Sequence, residues 1–393
     1  MMNSKKQYGH VLAISLIFAF RMLGLFMLLP IFSTYADELN GATHTLMGLG
    51  FGIYGLTQAA LQIPLGHLSD KIGRKKVIAF GLILFAIGSI ICSEASSIYT
   101  LIFGRAVQGA GAIGSTLIAL IADLTPAKDR TKSMALLGMV IGLSFSVAVV
   151  LGPVIARNFG FHGVFHFMTL MAVCGLLITF FVIPTPKMET YHPEVSASRK
   201  LFSEVLRNKQ LAVLNASIFF QHLIFTAIFY VIPMLLEPHL TVQWHFYLPI
   251  MVCGFVFAVP FIVFGEKKKK LKQVFCITIA NIVLSQILLF QFHTSLYAIA
   301  ACLFLYFISF NALEACLPSS VTKVVKSNSK GTAMGVYSMC QFLGIFCGGS
   351  MSGWLFQHYG ASCIFLVVIA LSLFWLLLVM PFLHITNAHD AQK

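Results

Sequence analysis

Of the 26 Lys and Arg residues in this chain, 23 fall in alternate gaps between its long apolar stretches. Arg21 and Arg105 sit inside apolar stretches, and only Arg157 lies in the other set of gaps. Short cytoplasmic loops of a multi-pass membrane protein collect Lys and Arg, so this two-sided sorting constrains class, topology and orientation together. The composition agrees, at 58% hydrophobic and 10% charged. A water-soluble chain needs more polar surface than that to cover its core.

A helix needs about 20 apolar residues to cross the hydrocarbon core. Such segments are expected near 11–35, 47–67, 77–93, 98–122, 134–156, 163–184, 211–236, 244–264, 272–291, 295–318, 332–354 and 361–383. Twelve is even, so both termini are expected on the basic, cytoplasmic side. Lys5 and Lys6 precede a first apolar run too long for a signal-peptide core, which reads as an uncleaved span. The formal charge of +13 does not point to nucleic acid, because the basic residues are spread along one membrane face without a recognition module. The nine cysteines all lie in apolar segments without a Cys-x-x-Cys pair, and read as small core hydrophobes with no metal site or disulfide framework. No Gly-rich phosphate loop is present, so no ATP coupling, enzyme chemistry or cofactor is expected.

The longest gap, 185–210, splits the spans six and six and contains Pro186 and Pro193. The expected organisation is an N-terminal six-helix bundle (1–186), a cytoplasmic linker (187–210) and a C-terminal six-helix bundle (211–393). The halves echo each other at an offset of 200: Asp129-Arg-Thr-Lys-Ser-Met134 precedes span five and Ser329-Lys-Gly-Thr-Ala-Met334 precedes span eleven. The basic run Lys71 to Lys76 after span two likewise matches Lys267–Lys270 after span eight. Two six-helix halves in the same orientation are a transporter architecture.

The loop after span two reads Gly66-His-Leu68-Ser-Asp70-Lys-Ile-Gly73-Arg74-Lys75-Lys76. Gly66 permits close helix approach, Asp70 can cap a helix N-terminus, and Gly73 permits a tight turn. Arg74 can pair with a carboxylate, for which Asp123 at the cytoplasmic end of span four is the candidate. This loop resembles the signature of the major facilitator superfamily, Gly-x-Leu-x-Asp-Arg-x-Gly-Arg-Lys. The resemblance implies a conformational latch between the halves, not a substrate site. It also implies a twelve-helix, all-α membrane fold with two pseudo-symmetric bundles.

Span four carries Leu101-Ile-Phe-Gly-Arg105-Ala-Val-Gln108-Gly109-Ala-Gly111-Ala112. Arg105 lies about 10 Å into the span, where a bare cation is costly. Snorkelling to the interface is the bland alternative, disfavoured by depth and by Gln108 one turn on. The stretch resembles the second motif of the drug:proton antiporters in that superfamily, which implies a role for Arg105 in proton coupling. Span one carries Arg21-Met-Leu23-Gly24 and Pro30, similar to the family's Leu-Gly-x5-Pro and close to the YajR-type transporters. Arg21 falls near the midplane, should face a cavity or a carboxylate, and is a candidate proton-coupling residue together with Arg105 and Glu314. YajR-type chains can carry a soluble C-terminal domain, which is not expected here because the sequence ends soon after span twelve. Gly142, Gly152 and Pro153 form a partial antiporter motif, with Ala148 and Ile155-Ala156 in place of glycines. That leaves the direction of transport open.

Glu314, in Asn311-Ala-Leu-Glu314-Ala-x-Leu-Pro318, is the only carboxylate well inside an apolar segment, about 12 Å from the cytoplasmic end. It is a candidate proton carrier, or a structural partner for Arg21 or Arg105, and both readings stand. Gln221 and His222 in span seven are candidate cavity residues, as are Gln108, Phe20 and Phe26. A lone intramembrane His is more often a hydrogen-bonded packing residue. The expected activity is secondary active transport in a bacterial inner membrane by a monomer embedded in lipid. Its expected form is proton-coupled efflux of small amphiphilic compounds by alternating access. A specific metabolite or siderophore transporter is the alternative, and a non-transporting membrane receptor is disfavoured by the intact latch residues.

Overall fold

The computed structural model describes residues 4–125, 129–184, 199–240, 242–268, 270–325 and 329–383. Among these the chain is helical, and its one β-type pairing is an isolated bridge between Asn40 and Ser97. The helices are α1 (Ser4–Phe26), α2 (Phe32–Tyr35), α3 (His44–Ile72), α4 (Arg74–Ser93), α5 (Ile98–Ala110), α6 (Gly114–Leu124) and α7 (Arg130–Leu177). After 185–198, which lie outside the described residues and hold half of the expected linker, come α8 (Arg199–Arg207), α9 (Lys209–Leu236), α10 (Trp244–Lys267), α11 (Leu271–Phe292), α12 (Leu296–Val324) and α13 (Lys330–Phe382).

Among the described residues, ten helical stretches are long and apolar enough to cross a membrane. Two of them are double length. The stretches Gly142–Val182 and Lys330–Pro381 run 41 and 52 residues, or about 60 and 80 Å at 1.5 Å per residue, against a hydrocarbon core of about 30 Å. Each is interrupted by one glycine outside helical geometry, Gly160 (φ 72°, ψ 177°) and Gly360 (φ 77°, ψ −176°). A positive φ strains a residue with a Cβ, so glycine supplies the reversal. Counting each double stretch twice yields twelve crossings.

Two expected spans are broken where hydropathy alone shows continuity. The first helix ends at Phe26, and turns over Met27–Ile31 containing Pro30 lead into α2. The residue before a proline is disfavoured in helical geometry, which accounts for the stop. The fourth span is interrupted at Gly111–Ile113 between α5 and α6. There the chain runs against α4: a Cβ at Gly111 would overlap the Gly81 carbonyl. Small residues allow that approach but weaken the helix that contains them.

The chain divides into two compact units, Met1–Ala42 with Ile53–His192, and Thr43–Gly52 with Pro193–Lys393. Inside unit 1, α1 packs on α7, and α4 packs on α5 and α7. Inside unit 2, α9 packs on α13, and α11 packs on α12 and α13. The pairings correspond at the 200-residue offset, and the helix starts agree in detail, with Asp129 at φ −105°, ψ −4° and Ser329 at φ −107°, ψ −4°. Side chains such as Phe255, Phe257 and Phe181 stand exposed on these helices, the distribution of a protein whose outer surface meets lipid. The cysteines are all free, and only Cys92, Cys302 and Cys316 are buried. Cys253 is exposed on α10, which corrects the expectation that all nine are core residues.

Candidate functional site

The residues expected to form a latch come together at the end of α3 and the start of α4. Gly73 (φ 105°) joins the two helices, a backbone conformation that glycine adopts without cost. It turns Arg74, 4% exposed, back onto three groups. The guanidinium pairs with Asp70, donates from Nη1 to Ser69 Oγ at 2.6 Å, and donates from Nε to Asp123 Oδ2 at 3.1 Å. Ser69 Oγ in turn donates to the Gly66 carbonyl at 2.6 Å. A Cβ at Gly66 would stand 2.9 Å from Ser115 Oγ, so the glycine does mark a close helix approach. Asp70 does not cap a helix start. It lies in the last turn of α3, and its role is an i,i+4 ion pair with Arg74. The expectation fails because α3 runs on to Ile72, two residues past Asp70.

A second ion pair, in unit 2, shares one position with the first, and the sign at that position is reversed. Lys323 of α12 pairs with Glu266 of α10, and Ser319 Oγ donates to the same carboxylate at 2.7 Å. Lys323 stands 200 residues after Asp123. The sequence does not single this pair out, because both residues lie at helix ends among other charges.

Arg21 and Arg105 are buried in unit 1 at 1% exposure each. Arg21 Nη2 donates to Gln58 Oε1 at 2.8 Å and to Tyr54 Oη at 3.2 Å. Gln58 Nε2 continues to Gln62 Oε1 at 3.1 Å. Tyr54, Gln58 and Gln62 repeat every four residues along α3, so they share one face. These three are site residues that sequence reasoning missed, and the four-residue spacing is the signal that could have found them. Arg105 Nη1 donates to Gln108 Oε1 at 2.8 Å, one turn on in α5, and Gln108 Nε2 donates to Ser89 Oγ at 2.7 Å. The Arg105 guanidinium also lies 4.7 Å from the centre of the Tyr54 ring. Gly109 makes this possible, since a Cβ there would overlap the Tyr54 carbonyl. Phe26 packs edge-on against Phe145 at 4.9 Å within unit 1, and Phe20 is partly buried.

In unit 2, Glu314 is held from α9. Gln221 Nε2 donates to Glu314 Oε2 at 2.9 Å and to the Phe310 carbonyl at 3.3 Å. His222 Nε2 lies 3.9 Å from the same carboxylate oxygen and 2.8 Å from Gln341 Nε2 of α13. No Lys or Arg of unit 2 forms an ion pair with Glu314 among the described residues. Phe310 stacks on Phe225 at 4.6 Å and on Tyr306 at 6.0 Å. The buried hydroxyls of Tyr306 and Tyr337 carry no hydrogen bond. Gln341 has no sequence signal, being one amide among the small residues of span eleven. Among the described residues no cluster of His, Cys, Asp and Glu is arranged to hold a metal.

The fold and its motifs have relatives among known proteins. The family model for the Major Facilitator Superfamily matches residues 14–348 and 271–393. The chain is 41% identical over 363 residues to the inner membrane transport protein YajR of Escherichia coli, across 92% of this chain and 80% of that protein. It is 38% identical over 129 residues to multidrug resistance protein 3 of Bacillus subtilis, across 32% of this chain and 25% of that one. Among solved structures, a bacterial homologue of the human lysosomal transporter Spinster in an inward-facing, unoccupied conformation superposes with TM-score 0.76 at 14% identity, covering 97% of this chain and 98% of that one. With a family model spanning the chain and a relative of this identity aligned over nine-tenths of it, the chain belongs to the major facilitator superfamily and is a multi-pass membrane transporter of small molecules.

Proposed function

We propose that the protein exports small amphiphilic compounds from a bacterial cytoplasm by alternating access, driven by protons entering through Glu314. Two bundles, 1–186 and 211–393, would move about a cytoplasmic linker at 187–210, with both termini cytoplasmic and the monomer as the working unit in lipid. The observation that carries the reading is the setting of Glu314. It is a carboxylate in the interior of α12 whose partners in unit 2 are an amide and an imidazole. A carboxylate held by such groups can take up and release a proton without breaking an ion pair, and its charge state then biases a two-state equilibrium. The aromatic stack of Phe225, Phe310 and Tyr306 beside it suits an apolar substrate body. The multidrug resistance relative supports efflux as the direction.

A second reading, transport of one specific metabolite, is favoured by Ala148 and Ala156 standing where the exporter motif has glycines. Transport in inverted membrane vesicles separates the two. Uptake of several unrelated amphiphiles that collapses when the pH gradient is dissipated supports efflux. Uptake of a single compound class, or indifference to the gradient, rejects it.

A further inference from the structure

Inside its spans, unit 1 holds two guanidinium groups that have left water without a carboxylate partner among the described residues of that unit. Arg21 and Arg105 are each 1% exposed. Within that unit neither forms an ion pair with a carboxylate among the described residues. Their hydrogen bonds go to neutral groups: Tyr54 and Gln58 for Arg21, Gln108 for Arg105. A guanidinium carries five N–H donors, and the Nε of each arginine is buried without an acceptor. Both groups meet at one side chain, since Arg21 donates to the Tyr54 hydroxyl while Arg105 lies over the Tyr54 ring.

Two buried positive charges with spare donors, partnered only by neutral groups, make a poor structural core. A buried cation needs a compensating anion as well as satisfied hydrogen bonds. Glu314, the one carboxylate deep in a span, is engaged by Gln221 and His222 of its own unit. The planar fork of arginine matches carboxylate, sulfonate and phosphate oxygens in pairs.

We propose that Arg21, Arg105 and Tyr54 form an anion-binding subsite for the transported molecule, so that the substrate is an organic anion: an apolar body carrying a carboxylate or similar group. This rests on the transport reading above and names its substrate class. Tyr54 would tie the two charges together, and Gln58 and Gln108 would hold each guanidinium in place from the side away from the ligand.

The test uses the purified full-length protein in neutral detergent and three probes on one skeleton: phenylbutyrate, phenylbutyramide and phenylbutylamine. Affinity is read from ligand-dependent shifts in thermal unfolding. The acid should bind roughly ten- to hundred-fold more tightly than the amide, the value of one set of charge-assisted hydrogen bonds. The amine should bind least. Arg21→Gln and Arg105→Gln should each abolish the preference for the acid, and Arg105→Lys should retain part of it. A parallel arm adds phosphatidylglycerol. Should that lipid displace the acid and stabilise more strongly, the site belongs to a headgroup and the substrate assignment is overturned. The assignment also falls if the amide or amine binds as tightly as the acid, or if the acid does not bind. The unmodified protein alone decides this, so a variant that fails to fold does not spoil the test. Binding is read without a gradient, so failure of proton coupling leaves the result intact. Transport of the amine with no binding of the acid would leave efflux standing and end the anion site.

Discussion

Arg74 holds Asp123 through Nε at 3.1 Å, and 200 residues beyond Asp123 the chain carries Lys323, which holds Glu266. Each pair ties the end of one helix to a neighbour inside its own unit, and the charge at the shared position is reversed. Burial separates them. The Asp123 and Arg74 side chains are 0% and 5% exposed, against 31% and 35% for Lys323 and Glu266.

Removing one partner of the buried pair leaves an uncompensated charge, at about 3 kcal/mol or more. Arg74→Ala should therefore lower transport strongly, and Asp70→Asn should lower it by weakening the hold on Arg74, which keeps Asp123. Substrate binding to the purified variants should survive, because Asp70 and Arg74 lie at the junction of two helices, whereas Arg21 and Arg105 lie inside α1 and α5. If both variants transport at the unmodified rate, the latch assignment is wrong.

The half-exposed pair should matter less. Exposed ion pairs contribute up to about 1 kcal/mol and are screened by salt. Lys323→Ala should shift the unfolding midpoint of the detergent-solubilised protein by a few degrees at most, and less at high salt. A loss as large as that of Arg74→Ala would mean that the two pairs are energetic equals.

Most of the architecture is legible as runs of apolar residues bounded by basic gaps, because spanning length and loop charge are both properties of local sequence. The interruptions at Met27–Ile31 and Gly111–Ile113 are not, since hydropathy does not register a backbone that stops being helical while staying apolar. The helix register of Asp70 escapes for a related reason: helix ends are set by capping and turn geometry, which a hydropathy window blurs. At the candidate sites the charged residues announce themselves by their cost. Their neutral partners do not. Tyr54, Gln58 and Gln62 are visible only as a four-residue spacing, and Gln341 becomes meaningful only where the fold brings it to His222.

Gly160 and Gly360 make a matched pair of backbone reversals, both at positive φ and both with no atom within 4 Å of the point where a Cβ would stand. Space is therefore not what requires glycine there. Alanine at either place should cost about 1–2 kcal/mol through backbone strain alone. Thermal unfolding of Gly160→Ala and Gly360→Ala should show similar losses. No loss in either would mean that the reversal relaxes to another conformation.

The basic gaps predict an orientation in which both termini are cytoplasmic. On a background lacking the native cysteines, a cysteine at Ala42 should react with an impermeant maleimide added to intact cells. One at Ala197, which lies outside the described residues, should react only after permeabilisation. The opposite pattern would invert the topology.

The proposed proton coupling turns on Glu314. A charge inside a span costs about 3 kcal/mol on insertion scales, so it persists only where partners or function offset it. Gln221 supplies one hydrogen bond and His222 stands 3.9 Å away, which leaves the carboxylate without a Lys or Arg partner among the described residues of its own unit. Glu314→Gln keeps the shape and the hydrogen-bonding reach of the side chain while fixing it in a neutral form. If Glu314 carries the proton, the variant should fold, bind substrate and exchange it downhill, yet fail to accumulate it against a gradient when the pH difference is applied. If Glu314 is only a structural acceptor for Gln221, the variant should lower the yield of folded protein and leave coupling intact in what remains. Transport in proteoliposomes, normalised to folded molecules, separates these outcomes, and full pH-driven accumulation by the Gln variant would end the carrier role.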